Sequence, residues 1–311
     1  MRYYHNPHTA VHMRPLIDAV RMAFIDHGHG VCEMPPKSYV NLPGGDFRTM
    51  PSYLPSLNCA GVKIVNVHPE NRRHGLPTVM AVTLLISPET GMPEAVLNAT
   101  TLTAMRTGAS AAIATAALSP AVQGVLGIIG AGEQALFGLT AIRTVFDCTE
   151  IRIWSRKEST AQKLVGMFPD LDIRITDIER ASDADLLLTV TPSTKPLIKK
   201  DWIHEGTHIN AIGADAPGKQ ELDPELLISG QVFVDDREQA IHSGEINVPI
   251  RTGSFRPDQI AGTLGEVLIG KAGRKDRDAI TIFDSTGIAI TDLAAAALAL
   301  KNGEYVDLPF L

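Results

Sequence analysis

Lys63 is the first side chain in this sequence whose position suits acid–base chemistry. It lies in the apolar run Ala60-Gly61-Val62-Lys63-Ile64-Val65, which predicts a β-strand. Burial lowers the pKa of a lysine, because the charged form loses its water, and such a lysine exchanges protons near neutral pH. A lysine at a strand edge, with its ammonium group in solvent, is the other interpretation. Both stay open at this point.

Two arginines lie in contexts that require an anion. Arg48 follows a turn in Gly45-Asp46-Phe47-Arg48-Thr49-Met50, and Arg106 lies inside an otherwise apolar Ala/Thr-rich helix. A buried guanidinium without a partner is prohibitively unfavourable. A substrate carboxylate, held by two parallel hydrogen bonds, would satisfy either arginine. An internal salt bridge would do so equally well.

Asp215 comes just after a predicted strand, in Gly213-Ala214-Asp215-Ala216-Pro217-Gly218. Ligands of open α/β sheets bind beyond the carboxyl ends of the strands. Asp215 is therefore placed to meet an ammonium group or to move a proton. A turn-forming aspartate in a Gly/Pro-rich segment is the alternative.

A glycine-rich turn follows the apolar strand Val125–Ile129 and opens a helix. Gly130, Gly132 and Ala135 match G-x-G-x-x-G/A, the fingerprint of a dinucleotide-binding βαβ unit. Gly130 permits the tight turn, Gly132 lets the backbone approach a pyrophosphate, and Ala135 lets the helix pack on the strand. The first amides of the helix then face the anion.

The end of the second strand of this unit, Ile151–Trp154, bears on the choice of dinucleotide. NAD-binding versions place an acidic residue there, on the ribose 2′-hydroxyl. This sequence has Ser155-Arg156-Lys157 instead. A serine beside two cations suits a 2′-phosphate, so we predict an NAD(P) site with a preference for NADP. A turn that merely contains basic residues, with NAD as cofactor, is the alternative.

The periodicity of the chain predicts the elements that must position these residues. Helical spacing covers residues 9–28, 102–118 and 287–301. Predicted strands of an antiparallel sheet lie at 39–42, 61–67, 78–86 and 95–98. Predicted strands of a parallel sheet lie at 125–129, 151–154, 172–175, 186–190, 208–211, 232–234 and 280–283. The fold class is thus α/β, with a doubly wound Rossmann sheet and a separate α+β domain.

We place the domain boundary after residue 118. Residues 1–118, completed by a C-terminal helix at 287–311, form the substrate-binding domain, and residues 119–286 form the dinucleotide domain. The chain has 311 residues, is 44% apolar and 20% charged, and has a net charge of -7. This balance argues against nucleic acid or a membrane as partner. Three isolated cysteines, without metal-ligand spacing, favour the cytoplasm and no metal site.

With these residues laid out, the sequence resembles the ornithine cyclodeaminase/μ-crystallin family over essentially its full length, with the archaeal-type alanine dehydrogenase branch nearest. The resemblance rests on several stretches besides the glycine turn: Gly61-Val62-Lys63-Ile64-Val65-Asn66, His68-Pro69, Gly75-Leu76-Pro77-Thr78-Val79, Leu102-Thr103-Ala104-Met105-Arg106-Thr107 and Phe283-Asp284-Ser285-Thr286-Gly287. Those shared with the alanine dehydrogenase branch are Met34-Pro35-Pro36-Lys37, Gly206–Asp215, Pro217–Asp223 and Gly244-Glu245-Ile246-Asn247-Val248.

The resemblance implies roles for individual residues. Arg48 and Arg106 match the positions that bind the substrate α-carboxylate, Lys63 the lysine that assists proton transfer, and Thr78 a position in the substrate pocket. Asp215 matches the aspartate that cyclodeaminases use on the amino group. We predict the following cofactor contacts: Gly130, Ala131, Gly132, Glu133, Gln134, Ala135, Ser155, Arg156, Lys157, Thr191, Ser285 and Gly287. The resemblance also implies a homodimer joined through the domain that carries the lysine.

Two departures from the family patterns shape the predicted function. Cyclodeaminases have Gly-Asp-Cys-Pro-Gly-Lys-Thr-Glu around the aspartate, whereas this chain has Ala214-Asp215-Ala216-Pro217-Gly218-Lys219-Gln220-Glu221. Ser155-Arg156 resembles the NADPH-using ketimine reductase branch rather than the NAD-using pattern. We predict an NAD(P)-dependent alanine dehydrogenase that acts on a small amino, keto or imino acid. The alternatives are an ornithine cyclodeaminase, a ketimine or pyrroline-2-carboxylate reductase, and a protein that binds NADP(H) without turnover.

Overall fold

The computed structural model describes residues 1–310, and the chain divides into two compact units. Unit 1 comprises residues 1–106 together with the C-terminal segment from Ile288. Unit 2 comprises residues 107–287. The division falls inside one long helix, α2.

The helices and strands have the following bounds. The helices are α1 (Met13–His29), α2 (Thr100–Leu118), α3 (Glu133–Ile142), α4 (Glu158–Gly166), α5 (Ile178–Ser182), α6 (Pro224–Ser229), α7 (Arg237–Ser243), α8 (Asn247–Thr252), α9 (Leu264–Leu268) and α10 (Ala289–Asn302). The strands are β1 (Arg2–Tyr4), β2 (Ser38–Leu42), β3 (Gly45–Leu54), β4 (Cys59–Val67), β5 (Val79–Ile86), β6 (Pro93–Asn98), β7 (Gln123–Ile129), β8 (Asp147–Trp154), β9 (Ile173–Ile175), β10 (Leu186–Thr189), β11 (Thr194–Ile198), β12 (His208–Ala211), β13 (Gln220–Leu222), β14 (Gln231–Val234), β15 (Ile260–Thr263), β16 (Thr281–Asp284) and β17 (Val306–Asp307). Short 3-10 turns lie at Pro7–Ala10, Pro55–Leu57, Pro69–His74, Lys200–Trp202 and Pro257–Gln259.

Unit 1 is built on a seven-stranded sheet in the order β17-β1-β6-β5-β4-β3-β2. Its neighbouring strands are antiparallel, except β1 and β6, which run parallel. α10 packs against β3 and β4 on the inner face, where Ala289 joins an apolar cluster with Met50 and Val65. The register places Met50 beside Lys63 and Lys63 beside Thr83. Lys63 therefore points into the space beneath α10, because side chains of one strand alternate between the faces.

β3 is a strand that the sequence pattern did not predict. Its inner face carries Arg48 and Ser52 among apolar residues, so the alternation of apolar and polar residues is lost. Pro51 in its middle also argues against a strand. It is tolerated here because Tyr53, two residues on, bonds to Glu33 on the β2 side. By alternation, the missing N–H of Pro51 faces that side, beyond the end of β2.

The outer face of the same sheet is apolar and lies open. In register, Val40 pairs with Phe47, and Ile64 pairs with Val82. Val40, Ile64 and Val82 are 43%, 39% and 36% exposed. Thr49 and Asn66 interrupt this face, and exposed apolar side chains grouped on one face of a sheet are typical of an interaction surface.

Unit 2 is built on an eight-stranded parallel sheet in the order β15-β14-β16-β12-β10-β7-β8-β9, with a small parallel pair of β11 and β13. Two buried apolar clusters contain residues of the sheet, one centred on Leu126, Ile128 and Ile151, the other on Leu187, Ile209 and Val232. Apolar residues on both faces of a strand are typical of a doubly wound parallel sheet. The predicted α/β fold class is confirmed. No helix within residues 1–310 is long and apolar enough to cross a membrane.

Candidate active site

A buried ion cluster of Lys63, Arg106 and Asp292 lies inside unit 1. Asp292 Oδ2 lies 2.7 Å from Lys63 Nζ, and Asp292 Oδ1 accepts a hydrogen bond of 2.9 Å from Arg106 Nε. The exposed fractions of the three residues are 1%, 5% and 5%. Lys63 comes from β4, Arg106 from α2 and Asp292 from α10, so one carboxylate joins three separate elements.

Burial lowers the pKa of Lys63 to about 7. The loss of water around the ammonium group is the largest cause, and the positive charges of Arg106 and Lys37 act in the same direction. The carboxylate of Asp292 opposes these effects and holds the pKa up. Lys63 is buried, as one of the two interpretations of the apolar strand had it, and its lowered pKa suits proton exchange near neutral pH.

Arg48 lies on the same inner face, on β3. Its Nε and Nη2 donate to the two carboxylate oxygens of Asp46, at 2.7 and 3.3 Å, and its guanidinium lies 5.2 Å from the centre of the Tyr39 ring. Arg48 and Asp46 form a neutral pair that is mostly buried. The predicted turn before Arg48 lies at Pro43-Gly44, between β2 and β3, and Arg48 lies within the strand that follows it.

Thr78 immediately precedes β5 and is half-buried, and its carbonyl accepts a hydrogen bond of 2.8 Å from the His68 N–H. Of the predicted residues, Lys63 and Arg106 thus both contact the carboxylate of Asp292. Arg48 contacts a different carboxylate, that of Asp46.

Unit 2 presents the glycine turn between β7 and α3. Gly130 has a φ of +111°, and a Cβ added there would meet the backbone of Val190 at 3.0 Å. A Cβ added to Gly132 would meet no atom within 4 Å. Gly130 is needed for the turn itself, whereas Gly132 leaves an open space at the N-terminus of α3. Ala135 is fully buried, as the packing of this helix on the sheet requires.

Two further observations at this turn fit a dinucleotide. Gln134 Oε1 is buried, with no hydrogen-bond partner among residues 1–310. Burial also raises the pKa of Glu133, the first residue of α3. At the end of β8, Arg156 and Lys157 are exposed. The residues of the glycine turn thus leave room for a pyrophosphate.

Asp215 lies in the loop after β12, partly exposed, in an ion pair with Lys219 of the same loop. The loop is held by Glu221, which is fully buried. Glu221 accepts hydrogen bonds from the backbone N–H of Thr191, at 2.6 Å, and of Gly213, at 2.9 Å. One carboxylate therefore fastens the loops that follow β10 and β12.

Buried carboxylates repeat this role along the same edge of the sheet. Glu245 accepts from the N–H groups of Glu221 and Leu222, and Asp284 accepts from the N–H of Glu245. Burial raises the pKa of Glu221, and it raises that of Glu245 well above its usual range, with the charge of Glu221 as the next cause. These side chains accept hydrogen bonds from the backbone, and so they fix the loops at this edge.

Asp235 completes the set at the end of β14. It accepts hydrogen bonds from the hydroxyl of Ser285, at 3.1 Å, and from the N–H of Gly287, at 2.6 Å. Gly287 has a φ of +74°, a conformation that favours glycine. Two of the predicted cofactor residues are thus held in place by one buried carboxylate.

Sequence reasoning missed Asp292 and assigned no role to Glu221. Asp292 is the one acidic residue of the Ala-rich helix α10. Its signal was present in the sequence, because a lone carboxylate in an apolar helix needs a cation as much as a buried arginine needs an anion. Nothing in the spacing says which cation it meets.

A parallel sheet with an open glycine turn defines a dinucleotide-binding unit, and unit 1 supplies a buried cationic cluster suited to a small anion. Comparison with known proteins agrees. Residues 1–303 match the model of the ornithine cyclodeaminase/mu-crystallin family, and the chain belongs to this family. The resemblance inferred from the motifs is confirmed.

Three relatives illustrate the range of similarity. The chain is 48% identical over 297 residues to the alanine dehydrogenase of Archaeoglobus fulgidus, covering 94% of this chain and 92% of that protein. An archaeal alanine dehydrogenase dimer solved with bound NAD is 44% identical, with a TM-score of 0.94 over 99% of both chains. The Δ1-pyrroline-2-carboxylate reductase of Thermococcus litoralis, solved with NADH and L-proline, is 32% identical, with a TM-score of 0.95 over 99% of this chain and 100% of that one.

The open space at Gly132 yields a prediction. Gly132→Val is expected to weaken the binding of NADH and NADPH at least about tenfold, because the added side chain fills the space left for the pyrophosphate. Folding should survive, since the φ of -86° and ψ of -167° at Gly132 suit any L-residue. Fluorescence titration of the reduced cofactors and thermal melting measure the two effects.

Gly166→Val is the matched control. Gly166 ends α4, and a Cβ added there also meets no atom within 4 Å. It should leave cofactor affinity unchanged. Equal affinities for Gly132→Val and the wild type would show that this turn does not hold the pyrophosphate.

Proposed function

We propose that this protein is an NAD(P)-dependent amino-acid dehydrogenase that interconverts L-alanine and pyruvate. The observation that carries the proposal is the buried ion cluster of unit 1. Lys63 and Arg106 share the carboxylate of Asp292, so the cluster carries one positive charge in excess whenever Lys63 is protonated. The α-carboxylate of an amino acid is an anion that balances this charge. The resemblance to archaeal alanine dehydrogenase, in sequence and in structure, favours alanine as the substrate.

The proposed reaction converts L-alanine, water and oxidised cofactor to pyruvate, ammonium, reduced cofactor and a proton. A nicotinamide cofactor, held by the glycine turn of unit 2, would supply the hydride acceptor for Cα of the substrate. Arg106, together with Arg48, binds and orients the carboxylate. Lys63 accepts and donates protons as water adds to the imine, because its pKa of about 7 suits both directions. Asp215 acts on the amino group.

The two units divide the work. Unit 1 binds the substrate. Unit 2 binds the cofactor, through the residues of the glycine turn, the end of β8 and the loops after β10 and β16. Thr191, Ser285 and Gly287 lie in those loops, held by Glu221 and Asp235. The protein works in the cytoplasm, where cofactor and amino acids are available. The three cysteines of the chain remain thiols there.

Reduction of a cyclic imine is the second candidate. It is favoured by the likeness to the reductase solved with NADH and L-proline. The same carboxylate-binding cluster and the same hydride transfer serve that reaction in reverse. Ornithine cyclodeamination is a third possibility, against which Ala216 stands in place of the cyclodeaminase cysteine.

A substrate panel tests the proposed function. The wild type, given L-alanine with NAD or NADP, is expected to accumulate reduced cofactor, measured by its near-ultraviolet absorbance. Pyruvate with ammonium should consume it. L-ornithine should release no proline. Release of proline and ammonia without a net change in cofactor would instead assign a cyclodeaminase. Binding of cofactor with no product from any substrate would leave a binding protein.

The same assay tests the residues of unit 1. Arg106→Ala and Lys63→Ala are each expected to lower kcat/KM for alanine at least about a hundredfold. Arg106→Ala removes the group that binds the substrate carboxylate, and Lys63→Ala removes the group that transfers protons. Cofactor affinity should be unchanged. Turnover at the wild-type rate in either variant would refute the assignment.

Preference for NADP over NAD rests on Arg156. Because two relatives were solved with NAD or NADH, we expect this protein to bind NAD as well. Arg156→Ala is expected to weaken NADPH at least about tenfold and NADH by less than about twofold, since only NADPH carries the 2′-phosphate. Fluorescence titration measures both. Lys163→Ala, on α4, is the control, and equal losses for both cofactors in Arg156→Ala would refute the preference.

A second copy of the chain covers the outer face of the unit 1 sheet. This face exposes paired apolar residues, and an archaeal relative of 44% identity was solved as a dimer. The proposed homodimer buries Ile64 and Val82.

Ile64→Asp is expected to convert the dimer to a monomer, because it places a charge in an apolar interface. Sedimentation velocity measures the mass. Ile228→Asp, at a position on α6 of unit 2 that is 51% exposed, should remain dimeric. A wild type that is monomeric, or an Ile64→Asp variant that stays dimeric, would refute this interface.

A further inference from the structure

Asp292 supplies the negative charge of the buried ion cluster of Lys63, Arg106 and Asp292. The net charge of the cluster depends on the protonation of Lys63 and on the charged groups around it. Arg106 Nε donates to Oδ1, and Lys63 Nζ lies beside Oδ2. Lys37, in the segment before β2, adds a further positive charge, whereas Arg48 on β3 is already neutralised by Asp46. If Lys63 is protonated, the cluster carries a net charge of +1. If Lys63 is neutral, the cluster carries none.

We propose that Asp292 is the positioning residue of this site, and that it holds Lys63 beside Arg106 so that Lys63 takes up one proton when the substrate carboxylate binds. The inference rests on the proposed function for the identity of the substrate and deepens it, because it specifies how the site changes charge. The proton comes from solvent and stays on Nζ, and no covalent bond changes.

The geometry explains the coupling. A carboxylate that binds Arg106 enters a site of low dielectric, where its charge acts strongly on Nζ. It joins Asp292 as a second anion for two cations, so the protonated cluster becomes neutral overall. Before binding, burial and the positive charges of Arg106 and Lys37 hold the pKa of Lys63 at about 7. After binding, the added negative charge raises it.

Asp292 is required because, among residues 1–310, it is the anion that pairs with Lys63 and raises its pKa. The register surrounds Lys63 with Met50 on β3 and Thr83 on β5, neither of which carries a charge. Without Asp292, burial and the neighbouring cations lower the pKa of Lys63 further. Arg106 also loses the acceptor that fixes its Nε. Asp292→Asn should therefore keep Lys63 neutral with and without substrate at pH 8.

Isothermal titration calorimetry tests the inference on the full chain. Pyruvate is titrated, with NADH present and ammonium absent, at pH 8 in two buffers of different ionisation enthalpy. The difference in heat gives the protons taken up. The wild type should take up most of one proton per site, and Lys63→Gln should bind pyruvate more weakly and take up none.

Variants of the acid separate positioning from packing. Asp292→Asn should lose proton uptake at pH 8 and shift it at least about one pH unit lower. Asp292→Glu should restore it in part, because the charge returns. Asp307→Asn, on the exposed strand β17, should behave as the wild type. Thermal melting and NADH affinity establish that each variant is folded, and if Asp292→Asn fails to fold, Lys63→Gln and Asp292→Glu decide.

Several outcomes would overturn the inference. These are a wild type that binds pyruvate without proton uptake or does not bind it, a Lys63→Gln variant that still takes up a proton, and an Asp292→Asn variant with wild-type uptake at pH 8. The proposed function fails separately. A wild type that takes up the proton but oxidises no amino acid would keep the inference and refute the dehydrogenase. Alanine oxidation without uptake would do the reverse.

Discussion

Two buried cations that share one carboxylate are the constraint on which unit 1 depends. Removing a charged partner from a buried pair costs about 3–5 kcal/mol, because the remaining charge has neither water nor a counter-ion. Lys63, Arg106 and Asp292 must therefore come together whenever β4, α2 and α10 are in place. The C-terminal helix supplies the anion, and so the last part of the chain completes the site that the first part begins. The carboxylate of Asp292 also holds up the pKa of Lys63, which burial lowers to about 7.

Unit 2 uses buried carboxylates for a different purpose. Glu221 and Asp235 accept hydrogen bonds from backbone N–H groups of the loops at the carboxyl edge of the sheet. A carboxylate that accepts from the backbone makes a loop rigid without a regular element. The edge of the sheet is thus shaped before any ligand arrives, and binding loses less conformational freedom. In unit 1 the carboxylate of Asp292 pairs with two cations, whereas in unit 2 the carboxylates of Glu221 and Asp235 accept hydrogen bonds from the backbone.

The prediction from sequence succeeded where the signal is local. The turn at Gly130 and Gly132 is predictable because a tight connection between one strand and one helix requires glycine at fixed spacing. The parallel strands are predictable because each is a continuous apolar run. The prediction failed at β3, whose inner face carries Arg48 and Ser52 among apolar residues. The alternation of apolar and polar residues by which strands are recognised is therefore lost there.

The sequence by itself determined that the chain has a dinucleotide turn, a parallel sheet and cations that need an anion, since each depends on residue types and short spacings. Only the tertiary structure decided which anion each cation meets. Arg48 takes Asp46, two residues away, while Arg106 takes Asp292, 186 residues along the chain. The choice of a counter-ion depends on distance in space within a medium of low dielectric, and no spacing along the chain encodes that distance.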